Sequence, residues 1–186
     1  MPKRSSRNMP DSGRLILVVG PSGVGKDTLI EAAKSRGLSG VRIVRRDITR
    51  PADLGGEDYA SVNEAVFEQR QTAGHYVLSW GAHGLRYGIP ADILGDLSEG
   101  RTVVANVSRA VLAEARRRFE NLLIVSVTAP SDVIRSRLQA RGRETDTEIE
   151  GRVARAAEFV VDGTDVIELR NDGPREAAVS AFVTLL

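Results

Sequence analysis

The chain has 186 residues, enough for one domain with a real core but not for two. Apolar residues make up 41% and charged residues 27%, and 26 basic against 25 acidic side chains leave a formal charge of +1. That balance excludes a generally basic nucleic-acid coat, and the lack of cysteine excludes a disulfide framework, a thiolate metal site and a cysteine nucleophile.

Residues 1–13 are polar and basic (Lys3, Arg4, Arg7) and read as a disordered tail, leaving 14–186 as a single domain. The tail lacks the apolar stretch of a signal peptide, and no apolar run approaches the ~20 residues that span a bilayer, so a cytoplasmic protein without a membrane partner is expected. Arg14 to Val19 reads as a strand, continuously apolar after Arg14 and ended by Gly20, the pattern of a buried parallel strand. Thr28 to Lys34 is helix-like, with Gly37 where a C-cap falls. A short strand at Val41 to Val44 leads into Arg45 to Asp58, where Pro51, Gly55 and Gly56 argue for loop.

Ser61 and Glu64 have capping-box spacing and open a short helix through Arg70. Tyr76 to Trp80 and Leu85 to Tyr87 read as a hairpin, and Pro90 as the first position of a helix ending near Gly100. Beyond that point strands and helices alternate. Strands are expected at Thr102 to Val107, Leu122 to Val127 and Asp165 to Leu169, with helices at Ala110 to Phe119, Ser131 to Ala140, after Thr145, and from Pro174 to Leu185. Such alternation implies a three-layer α/β fold, its parallel sheet covered on both faces, with a polar insert at about residues 45–90.

Gly20-Pro21-Ser22-Gly23-Val24-Gly25-Lys26 matches the G-x-x-x-x-G-K phosphate loop in the strand-to-helix context the motif requires. Glycines let the backbone N–H groups converge on phosphate oxygens, the helix N-terminus adds its positive end, and Lys26 reaches the β- and γ-phosphates of ATP. Asp27 stands where many such loops carry the Mg²⁺-ligating hydroxyl, followed by Thr28. Asp27 either joins the Mg²⁺ shell, directly or through water, or only complements the first helical turn.

Phosphoryl transfer needs positive charge around the moving group more than covalent chemistry. Arg45, Arg46 and Arg50 form one cluster, and Arg137, Arg141, Arg143 and Arg152 bracket a segment at about 141–152 that can close as a lid. Arg137 and Arg141 are four apart and share a helix face. His75 and His83 read as solvated loop histidines, Arg116 to Arg118 as a solvated face, and Trp80 as packing for the insert.

These motifs resemble the guanylate kinase superfamily over nearly the whole chain past the tail. GPSGVGKDT at Gly20 to Thr28 resembles its phosphate loop, Thr49-Arg50-Pro51 with Gly56-Glu57 its acceptor segment, and Arg137 to Arg152 its lid. Asn171-Asp172 is similar to the segment near the adenine. The departures fall on guanine recognition: Ser79 replaces the guanine-reading glutamate, Ile89 a hydroxyl residue, and Asn106-Val107-Ser108 an Asp-x-Asp pair, with a second acceptor arginine lost near Asp53.

That combination is similar to the ribose 1,5-bisphosphate phosphokinases, through Gly20 to Asp27, Thr49 to Glu57 and Asn106 to Arg109. The resemblance implies an ATP- and Mg²⁺-dependent kinase acting on a small phosphorylated sugar, with no nucleic-acid partner. It implies that Lys26, Arg137, Arg141 and Arg152 serve the transferred group, and that Arg50, Tyr87 and Arg109 hold acceptor phosphates. Asn106 and Ser108 would meet ribose hydroxyls or the 1-phosphate. A divergent nucleoside monophosphate kinase and a non-catalytic binding module are the competing readings.

Overall fold

A computed structural model describes residues 13–52, 57–142 and 144–186. The tail up to residue 12, Asp53, Gly55, Gly56 and Arg143 lie outside the described residues. Gly13, assigned above to the tail, belongs to the fold: it is buried and its N–H donates to the Leu97 carbonyl at 2.8 Å.

The main sheet has five parallel strands in the order β2 (Val41–Ile43), β7 (Thr102–Asn106), β1 (Arg14–Val19), β8 (Leu122–Thr128), β9 (Val166–Arg170). β1 lies at its centre, and its side chains divide between the two faces as the period of two requires. Leu15, Leu17 and Val19 join one core with Val103, Ala105, Ile124, and Leu112 and Ala115 of α4 (Leu112–Arg118). Ile16 and Val18 join the other, against Leu29 and Ala33 of α1 (Lys26–Ser35) and Phe182 of α7 (Arg175–Val183). A run apolar at every position is what a strand buried on both faces demands.

The region read as loop and hairpin is a second sheet of four strands, β4 (Tyr59–Ser61), β3 (Arg46–Ile48), β6 (Leu85–Pro90) and β5 (Tyr76–Ala82). β3 is a correction to the expected Arg45-to-Asp58 loop. Its sequence, Arg-Asp-Ile, has no strand signature; tertiary partners hold it. Asp47 is buried and accepts from the Tyr76 hydroxyl at 2.7 Å and from Arg70. Opposite Asp47 lies Gly88, where an added Cβ would come within 2.6 Å of the Tyr76 ring.

Two helix starts also differ from expectation. Ser61 ends β4 and donates to the Arg50 carbonyl, so the cap of α2 (Glu64–Thr72) is Asn63, whose side chain accepts from the Val66 N–H at 2.8 Å. Pro90 closes β6 rather than opening a helix, and α3 (Ile93–Ser98) begins three residues later. The Thr145–Glu148 capping box is present and starts α6 (Asp146–Ala157), which packs on α5 (Ser131–Arg141) through Ile134, Leu138, Ile149 and Val153. No helix of the described residues is long and apolar enough to cross a membrane.

The arginine run at 116–118 is partly structural instead of a solvated face. Arg116 pairs with Asp165 at 2.9 Å, while Arg118 donates to the Val77 carbonyl and pairs with Glu114. The consequence for the site is geometric. Strands β1, β7, β8 and β9 all end on one side, and Gly20, Asn106, Thr128 and Asn171 converge there, at the strand ends where open α/β sheets place ligands.

Candidate active site

The loop after β1 turns through left-handed backbone at Gly23 (φ 89°) and Gly25 (φ 97°), conformations that a side chain disfavours. It is held from three directions. Asn171, buried, donates to the Val24 carbonyl at 2.8 Å, and Arg137 of α5 donates to the same oxygen at 3.1 Å. Arg152 of α6 donates to the Ser22 hydroxyl at 2.6 Å and pairs with Glu144 at 3.5 Å.

Lys26 folds back on its own loop, donating to the carbonyls of Gly20 at 2.7 Å and Pro21 at 3.1 Å. Burial lowers its pKa from 10.5 to about 8, with Arg46 and Arg141 pushing the same way and Asp27 and Glu57 opposing. Anionic oxygens brought against Lys26 would restore its charged form. ATP affinity should therefore be flat up to about pH 8 and then weaken by as much as tenfold per pH unit as the free enzyme loses the proton. Calorimetric titration with MgATP from pH 7 to 9.5 measures this, with Lys26→Met as the pH-insensitive reference.

The loop opens into a cavity of about 350 Å³. It is lined by Gly20, Ser22, Lys26 and Asp27, by Arg46, Trp80 and Tyr87 of the second sheet with Glu57 beside them, and by Asn106, Ser108 and Arg109. Arg141 reaches it from α5. Asp27 Oδ1 accepts from Asn106 Nδ2 at 3.0 Å, and the Asn106 carbonyl accepts from Arg46 at 2.9 Å. Arg46 also pairs with Glu57, so a continuous polar chain joins the first turn of α1 to the second sheet. Arg109 stands over the Phe159 ring, 5.0 Å from its centroid.

A further cavity of about 330 Å³ lies on the other side of the loop, lined by Thr28, Arg137, Arg141, Asn171 and Arg175. Among the described residues, no cluster of three or more histidine, cysteine or acidic groups is placed to hold a metal. Asp27, exposed at the head of α1, presents its carboxylate to the phosphate cavity, while the other lining carboxylate, Glu57, is paired with Arg46. The Asp27 carboxylate suits a hard cation whose remaining ligands come from phosphates and water.

Most expected site residues line one or both of the two cavities; Pro21, Val24, Arg50 and Arg152 line neither, Arg152 meeting the loop at the Ser22 hydroxyl. Arg137 touches the back of the phosphate loop and lines only the second cavity. Arg50 stands over the Tyr59 ring and lines neither. Sequence reasoning gave Arg46 no role beyond membership of an arginine cluster, took Trp80 for packing alone and passed over Phe159. Trp80 packs on the core, and its ring also stacks on Tyr87 at 5.2 Å in the cavity wall. His83 is exposed but lines the cavity edge, while His75 lies edge-on to Tyr76.

The sequence model of a family described as an AAA domain matches residues 16–158. The guanylate kinase of Anaplasma phagocytophilum superposes with a TM-score of 0.66, covering 94% of this chain and 86% of that one. At 16% identity this likeness shows the shared fold alone. Ribose 1,5-bisphosphate phosphokinase PhnN of Acidiphilium cryptum is 50% identical over 180 residues, covering 96% of this chain and 94% of that protein. The chain belongs to the ribose 1,5-bisphosphate phosphokinase family. The Pseudomonas paraeruginosa member of that family is 46% identical over 178 residues, 94% of this chain and 96% of its own. A bifunctional ribose 1,5-bisphosphokinase-thymidine phosphorylase of Cupriavidus pinatubonensis is 44% identical over 179 residues, and this chain spans 30% of its length.

Family membership gives meaning to two positions that look inert. Ser79, where guanylate kinases are expected to read guanine, accepts a hydrogen bond from Gln71 at 3.0 Å and does not line the cavity. Ile89 is fully buried in the core. Ile89 has no polar side-chain atom to offer a base, and Ser79 lies outside the cavity lining.

Proposed function

We propose that the protein transfers the γ-phosphoryl group of ATP to the 1-phosphate of ribose 1,5-bisphosphate, giving 5-phosphoribosyl 1-diphosphate and ADP. The observation that carries this reading is a phosphate loop opening onto an acceptor cavity walled by arginines and without a base reader, in a chain of this family. An oxygen of the 1-phosphate attacks Pγ; the new O–Pγ bond forms as the bond from Pγ to the β-phosphate oxygen breaks, and ADP leaves. The nucleophile is already ionised, so no general base is needed.

Lys26 releases its two carbonyls and follows the β- and γ-phosphates, which are cradled by the backbone N–H groups of residues 22–28. Arg141 and Arg152 neutralise the equatorial oxygens, while Arg137 and Asn171 act one step back by fixing the Val24 carbonyl and hence the loop. The nucleoside end occupies the cavity beside Asn171 and Arg175. Mg²⁺, held by Asp27 and the phosphates, would supply charge neutralisation between the β- and γ-groups. Tyr87, Asn106, Ser108 and Arg109 orient the acceptor.

The test is ADP release with MgATP, offering ribose 1,5-bisphosphate and GMP separately and identifying the product by phosphorus NMR. Diphosphate signals with the sugar and none with GMP are expected. Turnover of GMP alone would place the protein with the nucleotide kinases.

A further inference from the structure

On that reading Arg109 orients the acceptor, and the structure holds it in an uncommon way. Arg109 opens a short 3₁₀ turn after β7 (Arg109–Val111) that packs on β5, so it stands where the main sheet meets the second one. It is exposed and lines the central cavity. Among the described residues it makes no hydrogen bond and no ion pair; its partner is the Phe159 ring, whose centroid lies 5.0 Å from the guanidinium. Two other arginines of the cavity are engaged elsewhere. Arg46 pairs with Glu57, and Arg46 and Arg141 are the arginines that chiefly press on Lys26. Arg109 is not among the leading charges there.

Phe159, by contrast, is anchored. It stands two residues past α6, and its N–H donates to the Ala156 carbonyl at 3.1 Å. Its side chain is half-buried against the core cluster that contains Val107 and Val111, and it lines the same cavity as Arg109. A ring has a consequence here that a carboxylate would not. A carboxylate would hold the guanidinium by neutralising it and occupying its N–H groups. An aromatic face attracts the cation through its quadrupole and takes no N–H, so the charge and all five donors stay available to an anion. An exposed arginine without a holder would spread over many rotamers and lose that freedom at every binding event.

Resting on the reading above, we propose that Phe159 is a positioning residue of the acceptor site. Its ring holds the Arg109 guanidinium, charged and with its donors free, where a phosphate of the acceptor binds.

The experiment measures kcat, KM for ribose 1,5-bisphosphate and KM for ATP in the wild type, Phe159→Leu, Phe159→Tyr, Arg109→Gln and the double variant. Phe159→Leu keeps an apolar contact with the core and removes the ring face. It should raise the acceptor KM about fivefold to tenfold, with kcat and KM for ATP changed less than about twofold. Phe159→Tyr retains a ring and should bring the acceptor KM back to within about twofold of the wild type. Arg109→Gln should raise the acceptor KM at least about tenfold. In that background Phe159→Leu should add less than about twofold, because the ring acts only through the guanidinium.

A ring that merely fills space would act equally whichever side chain stands at position 109. An acceptor KM unmoved by Phe159→Leu, a matching rise in KM for ATP, or an undiminished effect in the Arg109→Gln background therefore each overturns the assignment. Should Phe159→Leu fail to fold, Phe159→Met also removes the ring and is judged by the same outcomes. Wild-type turnover of ribose 1,5-bisphosphate is the control. Its absence defeats the proposed function and this inference together, whereas turnover with any of the overturning results defeats this inference alone.

Discussion

Lys26→Met is expected to lower kcat by at least about a thousandfold while raising the melting temperature. The two effects have one cause. The ammonium faces the phosphate cavity with two carbonyls as neutral partners, and burial lowers its pKa from 10.5 to about 8. A lysine that binds its proton less tightly when folded destabilises the native state. The penalty is fully present below pH 8, shrinks between pH 8 and 10.5, and is gone above that range.

At about 1.36 kcal/mol per pKa unit, charging Lys26 in the folded protein costs on the order of 3 kcal/mol. Methionine keeps the length and removes the charge but forfeits both hydrogen bonds. A net rise of a few degrees at pH 7 is therefore expected, vanishing near pH 10.5. Differential scanning calorimetry at both pH values and an ADP-release assay measure it. A fall in melting temperature would mean that the ammonium stabilises the loop. Retained turnover would remove Lys26 from the chemistry.

Gly25→Ala is the second large effect: KM for ATP should rise about a hundredfold and stability fall by roughly 2–3 kcal/mol. Gly25 has φ 97°, a conformation costly for alanine, and its new Cβ would lie 2.5 Å from Asn171 Nδ2. The amide must then leave the Val24 carbonyl, and the loop loses one of the bonds that fix its curvature. A double-mutant cycle with Asn171→Ala isolates the collision from the backbone strain. The combined loss should fall short of the sum, because the alanine at 171 removes the atom that the methyl strikes. Additivity to within about 0.5 kcal/mol would show that the two groups do not meet.

What was legible in the sequence was what is local in the chain. The buried strand, the glycines and Lys26 are contiguous, so the phosphate loop and its flanking elements could be read directly. The Thr145–Glu148 box was equally legible because no strand competes for its residues. Ser61 offered the same spacing, but Tyr59 to Ser61 pair with β3, and Asn63 caps instead.

Arg46 shows why the rest was hidden. Its neighbours Glu57, Trp80, Tyr87 and Asn106 come from four separate stretches of chain, and nothing in Arg-Asp-Ile announces a strand. The four-residue spacing of Arg137 and Arg141 placed both on one helix face. It did not reveal that Arg137 bonds the back of the loop while Arg141 also reaches the central cavity.

The central position of β1 also sets a schedule for the chain during synthesis. Its two neighbours, β7 and β8, begin at Thr102 and Leu122, so an apolar strand made first waits for partners made much later. At the usual ribosomal pace of about 5–20 residues per second, the wait for Thr102 is roughly 4–17 s. Through that interval Leu15 to Val19 form an uncharged, β-prone stretch, with Arg14 and the basic residues before it as electrostatic guards against self-association. The loop that follows β1 acquires its braces only when Arg137, Arg152 and Asn171 have emerged. The exposure of the nascent chain thus depends on the distance in sequence between β1 and its partners.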